Sequence, residues 1–317
     1  MHCQKSNDNI RDLSFSNNSS PMATLTVFTP TYNRAYCLHL GYKALCRQTC
    51  KDFVWLIVDD GSTDDTATMV KEWQAEGKID IIYHYQENQG MHGAHNTAYS
   101  LIDTELNTCI DSDDYMPDDA VEKIVRFWQE KGNDEVAGII GLDTTYSGEV
   151  IGKRLPEDRE RTTVARYYNE GGKGDKKMVY RTNVVRRYPP YPIFPGEKYL
   201  SLGWLYEQID QDYELLILNE PLVRVEYQSD GSTMNMFRQY IRNPRSFAFI
   251  RKSSMVLAPT RKRRFMEAIH YVSSSLLCRN RHFLSESPRK GLTFCAIPFG
   301  LALYGYIRWK TRDLNED

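Results

Sequence analysis

Acidic residues at one short spacing carry the clearest chemical signal in this sequence. Asp111-Ser112-Asp113-Asp114 follows directly on an apolar run. Carboxylates this close repel one another unless a cation lies between them. A hard divalent ion with oxygen ligands, Mg²⁺ or Mn²⁺, meets that requirement, usually shared with the phosphates of a substrate. The alternative interpretation is an acidic turn in front of a helix N-terminus.

Two further polar clusters, 29–34 (TPTYNR) and 59–62 (DDGS), directly follow strand-like runs. Asp60 can accept hydrogen bonds from a base or a ribose hydroxyl, as acidic residues do at other nucleotide sites, and Tyr32 can stack on a base. The alternatives are a helix cap for Asp60 and a loop aromatic for Tyr32. Neither the GxGxxG pattern nor a P-loop pattern is present, which argues against a dinucleotide or P-loop site.

These clusters need a scaffold that brings them together, and the hydrophobic pattern predicts one. Predicted strands at 24–28, 53–58, 79–85 and 106–110 alternate with predicted helices at 36–48, 64–76, 93–102 and 118–131, the second helix capped by Ser62 or Thr63. Such alternation with short connections predicts a parallel, doubly wound α/β sheet. Ligands bind these sheets outside the carboxyl ends of the strands, where the three clusters lie.

The pattern is less regular after about residue 135. It predicts a strand pair at 136–155, a Gly/Lys-rich loop within 166–180, a helix at 202–210, two short strands at 215–227 broken at Asn219–Pro221, and mainly helices over 236–309. The proline-punctuated segment from 189 to 199 cannot be helical.

Four motifs together resemble the family 2 glycosyltransferases in order and spacing: residues 27–34, 58–66, 88–96 and 111–114. The resemblance covers roughly residues 24–130. It implies a GT-A fold (Rossmann-like, with helices on both faces of a mostly parallel sheet), a nucleotide-sugar donor that is usually a UDP-sugar, Mn²⁺ or Mg²⁺, and inversion at the anomeric carbon. We expect this domain over 22–235, followed by a helical extension over 236–317.

The resemblance assigns expected roles by position. Thr29, Pro30 and Tyr32 resemble the uracil-side wall, and Asp60, with Asp59, the acceptor of base or ribose hydrogen bonds. Asp111 and Asp113 resemble a DXD pair, in which Asp113 is the more direct metal ligand. The expected donor-binding residues are Thr29, Pro30, Tyr32, Arg34, Asp59, Asp60, Asn88, Gly90, His92, Asn96, Asp111 and Ser112. His92 and His95 lack a third close ligand, so we expect one of them to line the diphosphate pocket rather than to bind zinc.

An inverting transfer needs a base for the proton of the acceptor hydroxyl. Glu197, within Pro195–Tyr199, resembles the GEKF-like motif of one bacterial branch and is the first candidate. Leu202 stands where that branch often has a second Glu, so Glu207 and Asp210 remain alternatives. Asp175 is either an acceptor-orienting residue or a solvated loop residue.

Charge is segregated along the chain. The net charge is −2, but residues 240–312 hold 15 Lys/Arg and two acids, Glu267 and Glu286, which amounts to about +13. No nucleic-acid-binding motif accompanies the basic run at 261–264, so an anionic membrane surface is the favoured partner. The uncharged segment Gly291–Ile307 contains Pro298 and is predicted to lie in the interface rather than to cross. The alternative is a helical subdomain packed on the catalytic domain.

Residues 1–21 are rich in Ser and Asn and are predicted to be disordered. Met22 directly precedes the first strand-like run and is an alternative start. Seven cysteines without a CxxC pair indicate reduced thiols. We expect a cytoplasmic protein, peripheral on the inner face of the cytoplasmic membrane, with no nucleic-acid partner.

The expected function is metal-dependent, inverting transfer of a sugar from a nucleotide-sugar to a saccharide or lipid-linked acceptor in surface polysaccharide or glycolipid synthesis. The alternative, kept open by Leu202, is a nucleotide-sugar-binding partner without transferase activity in an assembly complex. A nucleotidyltransferase is disfavoured, because the first strand is not followed by a Gly-rich, basic triphosphate loop.

Overall fold

The computed structural model describes residues 23–225 and 236–312. The strands are β1 (Leu25–Thr31), β2 (Phe53–Asp59), β3 (Ile81–Tyr85), β4 (Leu106–Cys109), β5 (Val136–Thr145), β6 (Arg161–Thr162), β7 (Lys176–Arg181) and β8 (Glu214–Val225). The helices are α1 (Ala35–Cys46), α2 (Thr66–Glu76), α3 (Met91–Leu101), α4 (Ala120–Lys131), α5 (Val164–Asn169), α6 (Thr182–Val185), α7 (Gly203–Ile209), α8 (Met236–Arg242), α9 (Pro244–Leu257), α10 (Arg261–Leu277), α11 (Phe283–Glu286) and α12 (Lys290–Lys310). The expectations for residues 1–21 and Met22 lie outside this part of the chain.

All eight strands form one sheet in the order β3-β2-β1-β4-β7-β5-β8-β6. The first four strands of the chain are mutually parallel, which confirms the predicted doubly wound half. β7 and β6 run antiparallel to their neighbours, so the sheet as a whole is mixed. β1, β2 and β4 therefore end at one edge, and β5 ends there too because β7 reverses direction between β4 and β5.

Helices cover both faces of the sheet and bury alternate residues of its strands. On one face, Tyr42 of α1 stacks on Trp73 of α2, with ring centroids 4.4 Å apart, above Trp55 of β2. On the other face, Phe28 of β1 packs edge-on against Tyr99 of α3 at 5.5 Å. Successive residues of a strand point to opposite faces, so each central strand contributes to both cores.

Two sequence predictions about local structure are wrong. α2 begins at Thr66, and its first turn is held by Asp64, which accepts a hydrogen bond from the Thr66 amide at 3.2 Å, rather than by Ser62 or Thr63. The segment predicted as two short strands is a single strand, β8, in its described part. β8 bulges against β5: Ile217 pairs with Ile140, but the next pair is Pro221 with Leu142, so four residues of β8 span two residues of β5. The bulge accommodates Pro221, which has no N–H to donate to the sheet.

Residues 236–312 are mainly helical, as predicted, and have a core of their own. Tyr271 and Val272 of α10 pack with Met255 of α9 and Ala296 of α12. Gly300 lets α12 approach closely, because an added Cβ would lie 2.5 Å from Cβ of Val272. The basic segment is thus a packed helical unit rather than an unstructured tail.

Glu267 neutralises the centre of this helical unit. It is 2% exposed and accepts hydrogen bonds from Arg251 Nη1 at 2.9 Å and from Arg263 Nε at 2.7 Å. The segment's other acid, Glu286, is exposed.

Substituting Glu267→Ala should lower the free energy of unfolding by about 3 kcal/mol, because it leaves the partly buried guanidinium of Arg251, which is 20% exposed, without its carboxylate. Urea denaturation followed by circular dichroism measures this. Glu286→Ala, which removes the same charge from an exposed site, should change the value by no more than about 0.5 kcal/mol. Equal effects of the two substitutions would contradict a buried ion-pair role for Glu267.

Candidate functional site

The loops after β1 and β2 are joined by side chain–backbone hydrogen bonds. Asn33, with φ of 53°, accepts from the Thr63 amide at 2.8 Å, and its own amide donates to Ser62 Oγ at 2.9 Å. This pairing leaves the Tyr32 ring 50% exposed at the surface of the edge. Tyr32 is therefore placed where a planar ligand can reach it.

Thr29 and Pro30, by contrast, lie within β1. Thr29 is buried and its Oγ1 accepts a hydrogen bond from Trp55 Nε1 at 3.0 Å. Pro30 is paired with Val58 of β2. Of the predicted uracil-side wall, the Tyr32 ring is the exposed part, and Thr29 and Pro30 support it from the strand.

Asp59 and Asp60, at the end of β2, organise different loops. Asp59 accepts from the Ser62 amide at 2.7 Å and from the Tyr83 hydroxyl at 2.6 Å. Asp60 is 3% exposed and accepts from Gln86 Nε2 at 2.7 Å and from the amides of Gln89 and Gly90, each at 2.8 Å. Burial raises the pKa of Asp60, although these three hydrogen bonds act in the opposite direction.

Gly90 is the point where the loop after β3 meets the GEK turn, residues 195–199. Its φ is 84°, and an added Cβ would lie only 2.1 Å from the carbonyl oxygen of Lys198. The Lys198 ammonium in turn donates to the carbonyl oxygen of Asn88. A glycine is required here by both its φ and the close approach of the turn.

The DSDD turn follows β4 and is closed by a hydrogen bond from the Asp114 amide to the Asp111 carbonyl oxygen at 3.0 Å. Asp111 is exposed, Asp113 is partly exposed and Asp114 is buried. Arg34 Nη1 lies 3.7 Å from Asp113 Oδ2, so the first and fourth motifs meet. An antiparallel bridge between Tyr115 and Arg224 fixes the far side of the turn to β8.

Two charged residues that the sequence analysis did not single out lie beneath this turn. Lys177 of β7 donates to the Cys109 carbonyl oxygen at 3.0 Å, and Asp143 of β5 is 3% exposed. Burial raises the pKa of Asp143 to about 6 and that of Asp114 to about 8, while Lys177 opposes both shifts. In both cases the sequence signal that could have identified the residue is a charged side chain next to the apolar part of a strand, at the start of β7 for Lys177 and near the end of β5 for Asp143.

Asp111 and Asp113 fit the predicted divalent cation. Both offer carboxylate oxygens from one turn, and both are reached by solvent. In the described part of the chain, no three His, Cys, Asp or Glu side chains come close enough together to hold a metal ion by themselves. An ion held by one or two carboxylates and completed by water and substrate phosphates is the usual Mg²⁺ arrangement.

Both histidines of the third motif are buried in α3. His92 is 1% exposed, and neither of its ring nitrogens has a hydrogen-bond partner among the described residues. His95 is bonded through Nδ1 to the Met91 carbonyl oxygen at 2.9 Å and packs edge-on against Phe28. Burial lowers the pKa of each to about 4, so both rings are neutral at pH 7.

Asn96 and Ser112 are also buried or partly buried rather than open to solvent. Asn96 clamps the proline-rich segment, since its amide group donates to and accepts from the Tyr191 backbone, each at 2.8 Å. Ser112 is 9% exposed within the DSDD turn.

Glu197 caps a helix of the C-terminal unit. The side chain is 4% exposed; its Oε1 accepts from the Arg245 amide at 2.9 Å and from Arg245 Nε at 3.1 Å, and its Oε2 accepts from the Ser246 amide at 2.7 Å. These are the first amides of α9, which have no partner within the helix. Asn243, not found from the sequence, completes the junction by accepting from the amides of Lys198 at 2.8 Å and Tyr199 at 3.0 Å.

The two alternative bases also hold helices. Glu207 accepts from Ser254 Oγ at 2.8 Å, and Asp210 accepts from the amides that open α5, Val164 at 3.2 Å and Ala165 at 2.7 Å. Burial raises the pKa of Glu207, and it raises that of Asp210 to about 6. All three predicted bases therefore have hydrogen-bond donors, and the identity of the base stays a prediction.

The Gly/Lys-rich loop is held together by Lys176. This side chain is 5% exposed, and its ammonium donates to the carbonyl oxygens of Ile151 at 3.0 Å, Lys173 at 3.2 Å and Asp175 at 3.0 Å. Asp175 is exposed at the start of β7, on the same edge as the DSDD turn.

Named proteins with similar sequences are glycosyltransferases. The GalNAc(5)-diNAcBac-PP-undecaprenol beta-1,3-glucosyltransferase of Campylobacter jejuni is 29% identical over 145 residues, which are 44% of this chain and 46% of that protein. GlyA, a glycosyltransferase of Streptococcus pneumoniae serotype 4, is 34% identical over 102 residues, which are 32% of this chain and 14% of that protein. The chain spans less than half the length of these curated relatives.

Solved structures confirm the fold. The crystal structure of S. aureus TarS 1-349 in complex with UDP-GlcNAc superposes with a TM-score of 0.56 at 16% identity, over 86% of this chain and 79% of that chain. TarS 1-349 on its own gives a TM-score of 0.55 at 15% identity, over 92% and 91%. The fold of the chain is thus the predicted GT-A fold.

The family model for glycosyl transferase family 2 matches residues 26–188. This stretch runs from β1 to the turn after α6 and includes all four motifs at the carboxyl edge of the sheet. Since it makes up just over half of the 317 residues, the chain belongs to glycosyl transferase family 2.

Proposed function

We propose that this chain transfers a sugar from a UDP-sugar, with a divalent metal and inversion at the anomeric carbon, to a saccharide or lipid-linked acceptor in surface polysaccharide or glycolipid synthesis. The observation that carries the proposal is the meeting of four motifs at one edge of the sheet. Exposed Tyr32, the loop held by Asp60, and the solvent-accessible Asp111 and Asp113 occupy the ends of β1, β2 and β4.

The relatives support the choice of substrates. The TarS crystal structure contains UDP-GlcNAc, which supports a UDP-sugar as donor. The name of the Campylobacter jejuni relative specifies a saccharide on a PP-undecaprenol carrier as acceptor, which supports a lipid-linked acceptor here. On the chain itself, we propose that the donor binds at the Tyr32 and Asp60 side of the edge, and that the acceptor binds on the side that carries the exposed Asp175.

Asp113 and Asp111 would hold Mg²⁺ or Mn²⁺ at the DSDD turn. When bound, such an ion neutralises the charge that develops on the departing nucleoside diphosphate. The chain contributes the orientation of both carboxylates, since the bonds around Asp114 and the Tyr115–Arg224 bridge fix the turn. Arg34 supplies an additional positive charge beside Asp113.

We also propose that α12 lies on an anionic membrane, in the cytoplasmic peripheral position expected from the sequence. By length and composition α12 could cross a membrane. It is packed along α10, which carries Arg261 and Arg263, and this contact favours an interfacial position over a spanning one. Its outer face is apolar: Phe294, Phe299, Leu301, Tyr306 and Trp309 are 46–65% exposed. Such a face beside basic residues suits an anionic lipid surface.

Asp113→Ala should lower UDP release from UDP-sugars by at least about a hundredfold in the presence of Mn²⁺, because a ligand of the charge-neutralising ion is lost. A panel of UDP-sugars with a coupled UDP assay measures this. Asp118→Ala, an exposed carboxylate outside the turn, is the control. Retained activity of the Asp113 variant would exclude the metal assignment. Binding of UDP-sugar without turnover by the unmodified chain would instead favour the non-catalytic binding partner.

Comparison of Glu197→Gln, Glu207→Gln and Asp210→Asn should identify the base. We expect one variant to lose about 10²–10⁴-fold in kcat with unchanged UDP affinity, which is the contribution of a positioned base. Variants that lose only a helix contact should show a lower Tm with a smaller loss of kcat. If every loss of kcat follows the loss of Tm, none of the three is the base.

Liposome co-sedimentation tests the membrane surface. The chain should sediment with vesicles of phosphatidylcholine and phosphatidylglycerol, and less at 0.5 M than at about 0.1 M KCl, because salt screens the basic residues. The double variant Phe294→Glu/Phe299→Glu should lose this binding. Ile82→Glu/Leu101→Glu, at exposed apolar positions of the sheet domain, should retain it. Equal binding of both double variants would contradict the assignment to α12.

A further inference from the structure

We propose that Lys198 binds the diphosphate of the donor, as a cation that the chain supplies in addition to any metal at the DSDD turn. The inference rests on the proposed function and extends it to a residue outside the four motifs.

The position of Lys198 is the first argument. Its side chain is exposed, and its ammonium donates to the carbonyl oxygen of Asn88, in the loop that Asp60 anchors to the end of β2. An ammonium has three N–H donors, and the described contacts of Lys198 use one of them. The remaining donors lie on an exposed side chain next to this loop, residues 86–90, which we call the donor-side loop.

The charge balance of the edge is the second argument. The edge carries four carboxyl groups, those of Asp60, Asp111, Asp113 and Asp143. A nucleoside diphosphate is also an anion, so its binding at this edge requires cations that offset the repulsion. The other cations there are placed differently: Arg34 lies at Asp113, Lys176 is buried among carbonyl oxygens, and Lys177 is bonded to the Cys109 carbonyl oxygen beneath the DSDD turn. Lys198 differs from Lys176 and Lys177 in being exposed to solvent, so an anionic ligand at this edge can reach its ammonium.

The helix α3 provides a third argument, because it begins directly beside Lys198. α3 begins at Met91, directly after Gly90, so the positive end of its dipole and its opening amides lie at the end of the loop that contacts Lys198. His92 in this first turn is 1% exposed with both ring nitrogens unpartnered, and the Lys198 charge contributes to its lowered pKa. Buried polar atoms without a partner are uncommon and mark places where a ligand or water completes the bonding.

The backbone around Lys198 is held rigidly, which reduces the entropic cost of using the residue as a ligand. Asn243 accepts from the amides of Lys198 and Tyr199, and Glu197 accepts from the opening amides of α9. On the other side, the carbonyl of Lys198 lies against Gly90. The GEK turn is therefore fixed between the donor-side loop and the C-terminal helical unit.

Isothermal titration calorimetry with UDP, UMP and uridine, each in EDTA, tests the proposal on the full chain without acceptor or metal. The variants are Lys198→Gln, which keeps an unbranched polar side chain one bond shorter and removes the charge, and Lys198→Arg, which retains the charge. The matched control is Lys71→Gln, an exposed lysine on α2 away from the edge. Thermal unfolding of each variant establishes that the fold is intact.

We expect Lys198→Gln to raise the Kd for UDP about tenfold and that for UMP less, since a charge-assisted hydrogen bond to phosphate is lost. Uridine binding should change by less than twofold, Lys198→Arg should recover most of the UDP affinity, and Lys71→Gln should behave as the unmodified chain.

Two results would overturn the inference alone: unchanged UDP affinity in Lys198→Gln, or an equal loss for uridine, which would mean that the residue only shapes the loop. If the unmodified chain binds UDP with Mn²⁺ but not in EDTA, Lys198 does not hold the diphosphate without the metal and the inference fails alone. If it binds none of UDP, GDP and dTDP even with Mn²⁺, the proposed donor class fails together with this inference. Binding of GDP or dTDP in place of UDP would correct the nucleotide, and the same variants would then be compared on that diphosphate and its nucleoside.

Discussion

The buried carboxylate of Asp60 is the contact on which the donor-side edge depends. Its two oxygens hold Gln86 and the amides of Gln89 and Gly90, so the end of β2 fixes the loop after β3. That loop then supports Lys198 of the GEK turn through Asn88 and Gly90. A buried carboxylate is costly unless it is fully hydrogen-bonded, and here the cost is offset by three donors from one loop.

Acidic residues at this edge divide into two groups by burial. Asp59 and Asp60 are buried and already bonded to backbone or side-chain donors, so they build the loops. Asp111 is exposed and Asp113 partly exposed on a turn that is fixed from behind, so a cation and a substrate can reach both carboxylates from solvent. Lys177 limits the repulsion among the carboxylates beneath them.

The C-terminal helical unit is connected to the site rather than appended to it. Glu197 and Asn243 join the GEK turn to the start of α9, and α9 packs through α10 to α12. The same unit neutralises part of its own charge internally at Glu267 and presents an apolar face on α12. α12 is thus linked, through α10 and α9, to the GEK turn, and the GEK turn contacts the loop after β3.

The sequence by itself determined the parallel half of the sheet, the four motifs at its carboxyl edge and the helical character of the basic segment. These follow from local patterns, namely short continuous apolar runs, polar residues at strand ends and charge along the chain. Only the tertiary structure decided that Thr29 faces Trp55, that Glu197 caps α9, and that Asp143 and Lys177 lie beneath the DSDD turn. Their roles depend on residues distant in sequence, because β7 and β8 join the sheet out of chain order and no local pattern encodes that pairing.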